Sequence, residues 1–139
     1  VAYDQNGDLF VYGSTGTLVE LPRNAGQFEQ ITLPLRVETP GGIAWDGKYL
    51  AIADADNATV YRFTIKGSTA KQVDSFPVDG ANIIKQITID HNRVLVPSDV
   101  THGAGVVSVY HYPAGGERVR TLRNFSQPYA AVVSRGPKS

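Results

Sequence analysis

Cysteine is missing from the sequence. Its absence excludes disulfides, thiol nucleophiles and cysteine-ligated zinc. It leaves the compartment open, because a thiol-free chain tolerates either redox state. Methionine is missing as well, position 1 included, so the chain is expected to be a processed product or a piece of something longer. Surplus charge is also missing: 13 Lys and Arg balance 13 Asp and Glu. Binding of nucleic acid or an anionic membrane by the whole chain needs an excess of positive charge, so neither is expected as a partner. Long hydrophobic runs are missing too. The longest, such as Tyr49-Leu50-Ala51-Ile52-Ala53, fall far short of the roughly 20 apolar residues that cross a bilayer. Val1 opens directly in strand-like sequence, so any export signal is expected upstream of it.

What remains is enough for one domain with a modest core, 139 residues with 42% hydrophobic side chains, 14 Gly and 8 Pro. That composition reads as turn-rich and all-β. Thr59-Val60-Tyr61-Arg62-Phe63-Thr64-Ile65 alternates in strand fashion and stops at Gly67. Val107-Ser108-Val109-Tyr110-His111-Tyr112 does the same and stops at Pro113. Alternation rich in β-branched and aromatic residues, bounded by Gly, Pro, Asn or Asp, is the strand signal.

A repeat organises these strands. Val1-Ala2-Tyr3-Asp4, Ile43-Ala44-Trp45-Asp46 and Ile87-Thr88-Ile89-Asp90 are each a short apolar strand ending in Asp. A turn and a second strand follow each. The aspartates stand 42 and 44 residues apart, and another 44 lead to Ser134, at the end of Ala130-Ala131-Val132-Val133. Third strands recur at Leu18–Pro22, Val60–Phe63 and Val109–Pro113. Fourth strands are vaguer, over Phe28–Leu35, Lys71–Val78 and Arg118–Phe125. A unit of about 40–45 residues with four strands is the mark of a β-propeller blade. One such sheet cannot bury both of its faces, whereas stacked blades can. The competing architecture is a single β-sandwich whose repeats are chance. The expected fold is therefore all-β, a propeller arc over 1–139. Its blades are expected at about 1–37, 40–80 and 83–126, with an extra inner strand at 130–134.

The stretch Pro40-Gly41-Gly42-Ile43-Ala44-Trp45-Asp46-Gly47-Lys48-Tyr49-Leu50-Ala51-Ile52-Ala53-Asp54, with Tyr112-Pro113-Ala114-Gly115-Gly116, resembles the NHL-type and gluconolactonase-like propellers of exported bacterial proteins. The resemblance covers essentially the whole chain as three blades. It implies that the innermost strands are those ending at Asp4, Asp46 and Asp90. It also implies an extracellular or periplasmic parent protein. Gluconolactonase-like enzymes hold a divalent cation with Glu, Asn and Asp from several inner strands. The inner strands here carry Tyr3, Trp45, Ile87 and Ile89 instead, so those positions do not transfer.

Closed propellers have about four to eight blades, and three cannot close. The expected partners are therefore copies of this chain, two of which give six blades, or a missing propeller half. Residues 1–69 hold 5 basic and 8 acidic side chains, and residues 70–139 hold 8 and 5. Opposite signs at the two ends suit head-to-tail joining. Arg118, Arg120 and Arg123 otherwise read as a solvated outer-strand face.

No phosphate loop, dinucleotide fingerprint, His-Glu-x-x-His helix or nucleophile elbow occurs. No catalytic residue, metal ligand or resident cofactor is assigned. Asp4, Asp46 and Asp90 read as turn formers that bond the backbone after them. Asp54, Asp56 and Asn57 cluster after the second strand of the middle repeat. Their oxygens are of the kind that hold Ca²⁺ or another divalent cation, but the Gly and distal Glu of a calcium loop are missing, and a polar turn is the preferred reading. Asn82, Asp99 and His102 lie in loops expected at the same mouth of the channel. These six residues form the candidate binding rim, since variable loops on a rigid scaffold favour ligand sites. His91, His102 and His111 are scattered and are not expected to share a metal. The leading function is a non-catalytic binding or scaffolding module. The alternative is a metal-dependent lactonase-like hydrolase or lyase whose site needs further blades.

Overall fold

Turns built on aspartate start the sheets. Asp4 Oδ1 accepts the backbone N–H groups of Asn6 and Asp8 at 2.8 and 2.9 Å. Asp46 Oδ1 accepts those of Lys48 and Tyr49 at 2.8 and 2.6 Å. A short carboxylate bonding the backbone just ahead of it fixes a tight reversal. The third turn places His91 at φ 54°, with its Nδ1 2.8 Å from Asp90 Oδ1.

A computed structural model describes residues 1–99 and 104–134. The first antiparallel sheet holds β1 (Ala2–Tyr3), β2 (Leu9–Tyr12), β3 (Leu18–Leu21) and β4 (Glu29–Ile31). The second holds β5 (Pro40–Trp45), β6 (Leu50–Asp54), β7 (Thr59–Lys66) and β8 (Thr69–Pro77). The third holds β9 (Thr88–Asp90), β10 (Arg93–Asp99), β11 (Ala104–His111) and β12 (Gly115–Ser126). Strand order in each sheet follows the chain, and no helix occurs among the described residues. The architecture is all-β, an arc of propeller blades.

Side chains of β6 show how the blades stack. Its five residues are all buried. Leu50 and Ile52 point to the first sheet, in a cluster with Phe10, Leu18, Ile31, Val37 and Phe63. Phe10 stacks on Trp45 there, with ring centroids 5.9 Å apart. Ala51 and Ala53 point the other way, in a cluster with Phe76, Val94, Val96 and Tyr110. The middle sheet is thus covered on both faces, and each burial drives one inter-blade contact.

The fourth strands depart from expectation. β4 covers only Glu29–Ile31 rather than reaching Leu35. The chain leaves its sheet at Thr32, whose N–H donates to the Ser68 carbonyl at 2.8 Å and whose carbonyl accepts from Ala70 at 3.0 Å. The same stitch recurs one blade on, where Val78 bridges Gly116 in parallel.

Residues 130–134 form no strand among the described residues, which corrects the expected extra inner strand. An inner strand needs a second strand of its own sheet beside it, and none is present in the described chain. The segment lies against the third sheet. Thr88 Oγ1 donates to the Ala131 carbonyl at 2.5 Å, and a Cβ at Gly105 would come within 1.9 Å of Pro128 Cδ. The connection into the third sheet hugs β5 in the same manner: a Cβ at Gly42 would stand 2.5 Å from Gln86 Cα.

Candidate functional site

β6 ends at Asp54, on the side that faces the first sheet. Its carboxylate is buried and serves as the hub of a turn. Asn57 Nδ2 donates to Oδ2 at 2.8 Å, and the Asp56 N–H donates to Oδ1 at 3.2 Å. The N–H groups of Glu38, Thr39 and Asn57 add longer bonds of 3.4 Å each. Burial pushes the carboxyl pKa up, but the Asn57 amide and the surrounding N–H groups outweigh it and hold it below the ordinary range. Asp56 Oδ2 in turn accepts the Thr39 hydroxyl at 2.6 Å. Asp54, Asp56 and Asn57 therefore do come together, and they tie the turn 55–58 to the loop 38–39.

The next blade repeats this tie with other residues. The Asp99 N–H donates to the Asn82 carbonyl at 3.1 Å, as the Ala55 N–H does to the Thr39 carbonyl at 2.8 Å. Asn82 is exposed, whereas Asp99 Oδ1 is buried with no hydrogen-bond partner among the described residues. His102 lies outside the described residues. Two cavities lie around the first and second sheets. One, of about 270 Å³, is lined by residues including Tyr12, Ser14, Gly42 and Lys85. The other, of about 440 Å³, is lined by Leu18, Ile31, Leu33, Leu35 and Arg36 among others. The Tyr12 hydroxyl is buried without a partner among the described residues. Burial and then the Asp54 charge push its pKa up, so it stays protonated. Among the described residues no three His, Asp or Glu side chains gather closely enough to hold a metal ion.

A polar network between the second and third sheets was not expected. Arg62, on β7, donates from Nε to Asp74 Oδ1 at 2.7 Å, and its Nη2 also bonds Asp74. Its Nη1 lies 3.4 Å from Asp46 Oδ2. Tyr112 donates its hydroxyl to that same Asp46 oxygen. The guanidinium sits over the rings of Tyr49 and Tyr112 at 5.0 and 5.4 Å, within cation–π reach. Burial raises the Asp46 carboxyl, but the Tyr112 hydroxyl, the turn N–H groups and Arg62 bring it below the ordinary range. A signal for this existed. Arg62 shares a face with buried Val60, and a buried guanidinium requires an acidic partner.

No protein-family model matches the chain, and no curated protein matches it in sequence. Solved structures do resemble it. One is the hydrazine synthase of Kuenenia stuttgartiensis, with a TM-score of 0.62 and 17% identity over 92% of this chain and 36% of that one. Another is BamB from Moraxella catarrhalis, with a TM-score of 0.52 and 16% identity over 94% of this chain and 39% of that one. Both are β-propeller proteins, and the likeness is one of fold. The chain spans little more than a third of the length of either.

Proposed function

We propose that the chain is a non-catalytic binding and scaffolding section of an exported propeller, of the NHL- and gluconolactonase-like kind, acting in the periplasm or outside the cell. Its ring is completed by copies of itself or by a further propeller half, and the rim loops around Asp54, Asn82 and Asp99 are its variable surface. One register equivalence carries this reading. Counting from the aspartate turns, Leu9 and Val11 of the first sheet occupy the places of Leu50 and Ile52 in the second. In the second sheet those places are wholly buried against a neighbouring blade. In the first they remain partly exposed, beside Val19 and Leu21. An apolar face of this kind favours a cover. The acidic rim residues support the non-catalytic side of the reading, since Asp54 and Asp56 are spent on backbone and side-chain donors.

Light scattering of the purified chain tests it. An oligomer, or a complex with another propeller segment, is expected. A monodisperse 15.0 kDa particle with no affinity for either sinks the assembly reading. A divalent cation bound through Asp54 and Asp56, together with lactone hydrolysis, would move the assignment to a lactonase-like enzyme.

A further inference from the structure

Six asparagines occur in the chain, and only Asn6 precedes a glycine. That pair carries a chemistry of its own. The backbone nitrogen after an asparagine can attack the side-chain carbonyl carbon, Cγ. A C–N bond forms, ammonia leaves, and a five-membered succinimide results. Water then opens the ring to aspartate or isoaspartate. A side chain on the attacking residue obstructs the approach, and glycine has none.

The first turn adds to this chemistry. Asn6 and Gly7 are both exposed, so water and base reach them. The attacking nitrogen must first give up its proton, and the Gly7 N–H holds the Asp4 carbonyl by a long bond of 3.3 Å. Losing that proton puts negative charge on the carbonyl oxygen of the same peptide unit, which is the Asn6 oxygen. Arg23 Nη1 donates to this oxygen at 3.5 Å, and a Cβ at Gly7 would stand 3.4 Å from Arg23 Cδ. A cation is thus set where the anion develops. Asp4 works against it. Its Oδ2 accepts Asn6 Nδ2 at 3.0 Å and its Oδ1 accepts the Asn6 N–H at 2.8 Å, which pins the amide.

We propose that Asn6-Gly7 is a self-modification site, promoted by Arg23 and restrained by Asp4, whose conversion loosens the first turn and its tie to the second sheet. The product carries a carboxylate where the Asn6 amide donated to Asp4, so a bond becomes a like-charge contact. Isoaspartate also lengthens the backbone of a tight reversal. The neighbouring Gln5 Oε1 accepts the Trp45 indole N–H at 2.8 Å, and Trp45 stacks on Phe10. A loosened turn therefore reaches the junction of the first two sheets.

Incubation of the purified chain in mildly alkaline buffer tests this, with peptide mass spectrometry and an isoaspartate assay. Asn6 is expected to convert first among the asparagines. The emission of Trp45, the sole tryptophan, is expected to change on the same time course. Asp4→Ala should convert severalfold faster. Arg23→Gln should convert severalfold slower, short of the loss of a buried oxyanion donor because its bond is long and exposed. In Asn6→Ser the emission should hold constant. An Asn6 that stays intact while another asparagine converts overturns the site, and an unchanged rate in Arg23→Gln overturns its promotion. An Asn6→Ser variant whose emission drifts like the wild type overturns the link to the second sheet.

Discussion

Tyr112 donates its hydroxyl to the Asp46 carboxylate across the junction of the second and third sheets, although 66 residues separate them in sequence. The Asp46 side chain is only 7% exposed and also receives Arg62. Removing Tyr112 leaves that oxygen with Arg62 alone. Tyr112→Phe is expected to cost about 1.5–3 kcal/mol, the usual net worth of a hydrogen bond to a charged group. Asp46→Ala leaves Arg62 with Asp74 alone, leaves the Tyr112 hydroxyl unmet and breaks the turn, and is expected to cost more than Tyr112→Phe. Urea denaturation measures both. A Tyr112→Phe variant with an unchanged midpoint would remove the bond from the list of stabilising contacts.

The same network sets a pH response. Asp46 and Asp54 have folded pKa values below the ordinary aspartate value. A depressed carboxyl binds protons less well folded than unfolded, so its stabilisation is complete above the unfolded value. It is lost as pH falls through the lower folded value. Tyr112 is shifted the other way, up from 10.0, by burial and then by Asp46. Its contribution is complete below pH 10 and fades as pH rises past it. Thermal melts from pH 2 to 11 should therefore show a plateau with loss at both ends. Asp46→Asn should flatten the acid limb, and an acid limb as steep as wild type would contradict the assignment.

Asp54 is expected to act through its turn rather than through a metal. Asp54→Ala leaves the donors of Asn57, Asp56 and the loop 38–39 unmet, and is expected to lower stability by about 1–3 kcal/mol. Millimolar calcium should leave the melting temperature of the wild type where it was. A calcium-dependent rise that vanishes in Asp54→Ala would reverse this reading, because a ligand that binds only the folded state stabilises it.

Two glycines separate backbone strain from collision. Gly42 and Gly47 have φ of 105° and 101°. A Cβ at Gly47 meets open space, whereas one at Gly42 would stand 2.5 Å from Gln86 Cα. Gly47→Ala is expected to cost about 1 kcal/mol. Gly42→Ala adds displacement of the 84–87 connection and should exceed it by at least about 1 kcal/mol. Chemical denaturation of the two variants side by side reads the difference. Equal losses would mean that the connection moves aside freely.

The strands and their grouping were legible because alternation and aspartate turns are local. Asp4 and Asp46 announce reversals that are complete within four residues. The limits of β4 were not legible, since Thr32 leaves its sheet for partners at Ser68 and Ala70 that no local pattern reveals. Nor was the absence of a strand at 130–134, because Ala130-Ala131-Val132-Val133 has strand composition but lacks a neighbour to pair with. At the rim, the Asp54–Asn57 cluster was readable as a polar turn from its Asx chemistry. Its bond to Thr39 was not, and neither was the Arg62–Asp46–Tyr112 set, which brings the middle of β7 together with the residues just after β5 and β11.

The double burial of β6 has a kinetic meaning. Its amides face no solvent from either side and are shut in by β5 and β7. Their exchange with deuterium can proceed only when the middle sheet itself opens, while amides of the exposed β12 exchange through local fluctuations. The slowest protons of the molecule are thus expected in Leu50–Asp54, where their lifetime reports the unfolding of the whole arc.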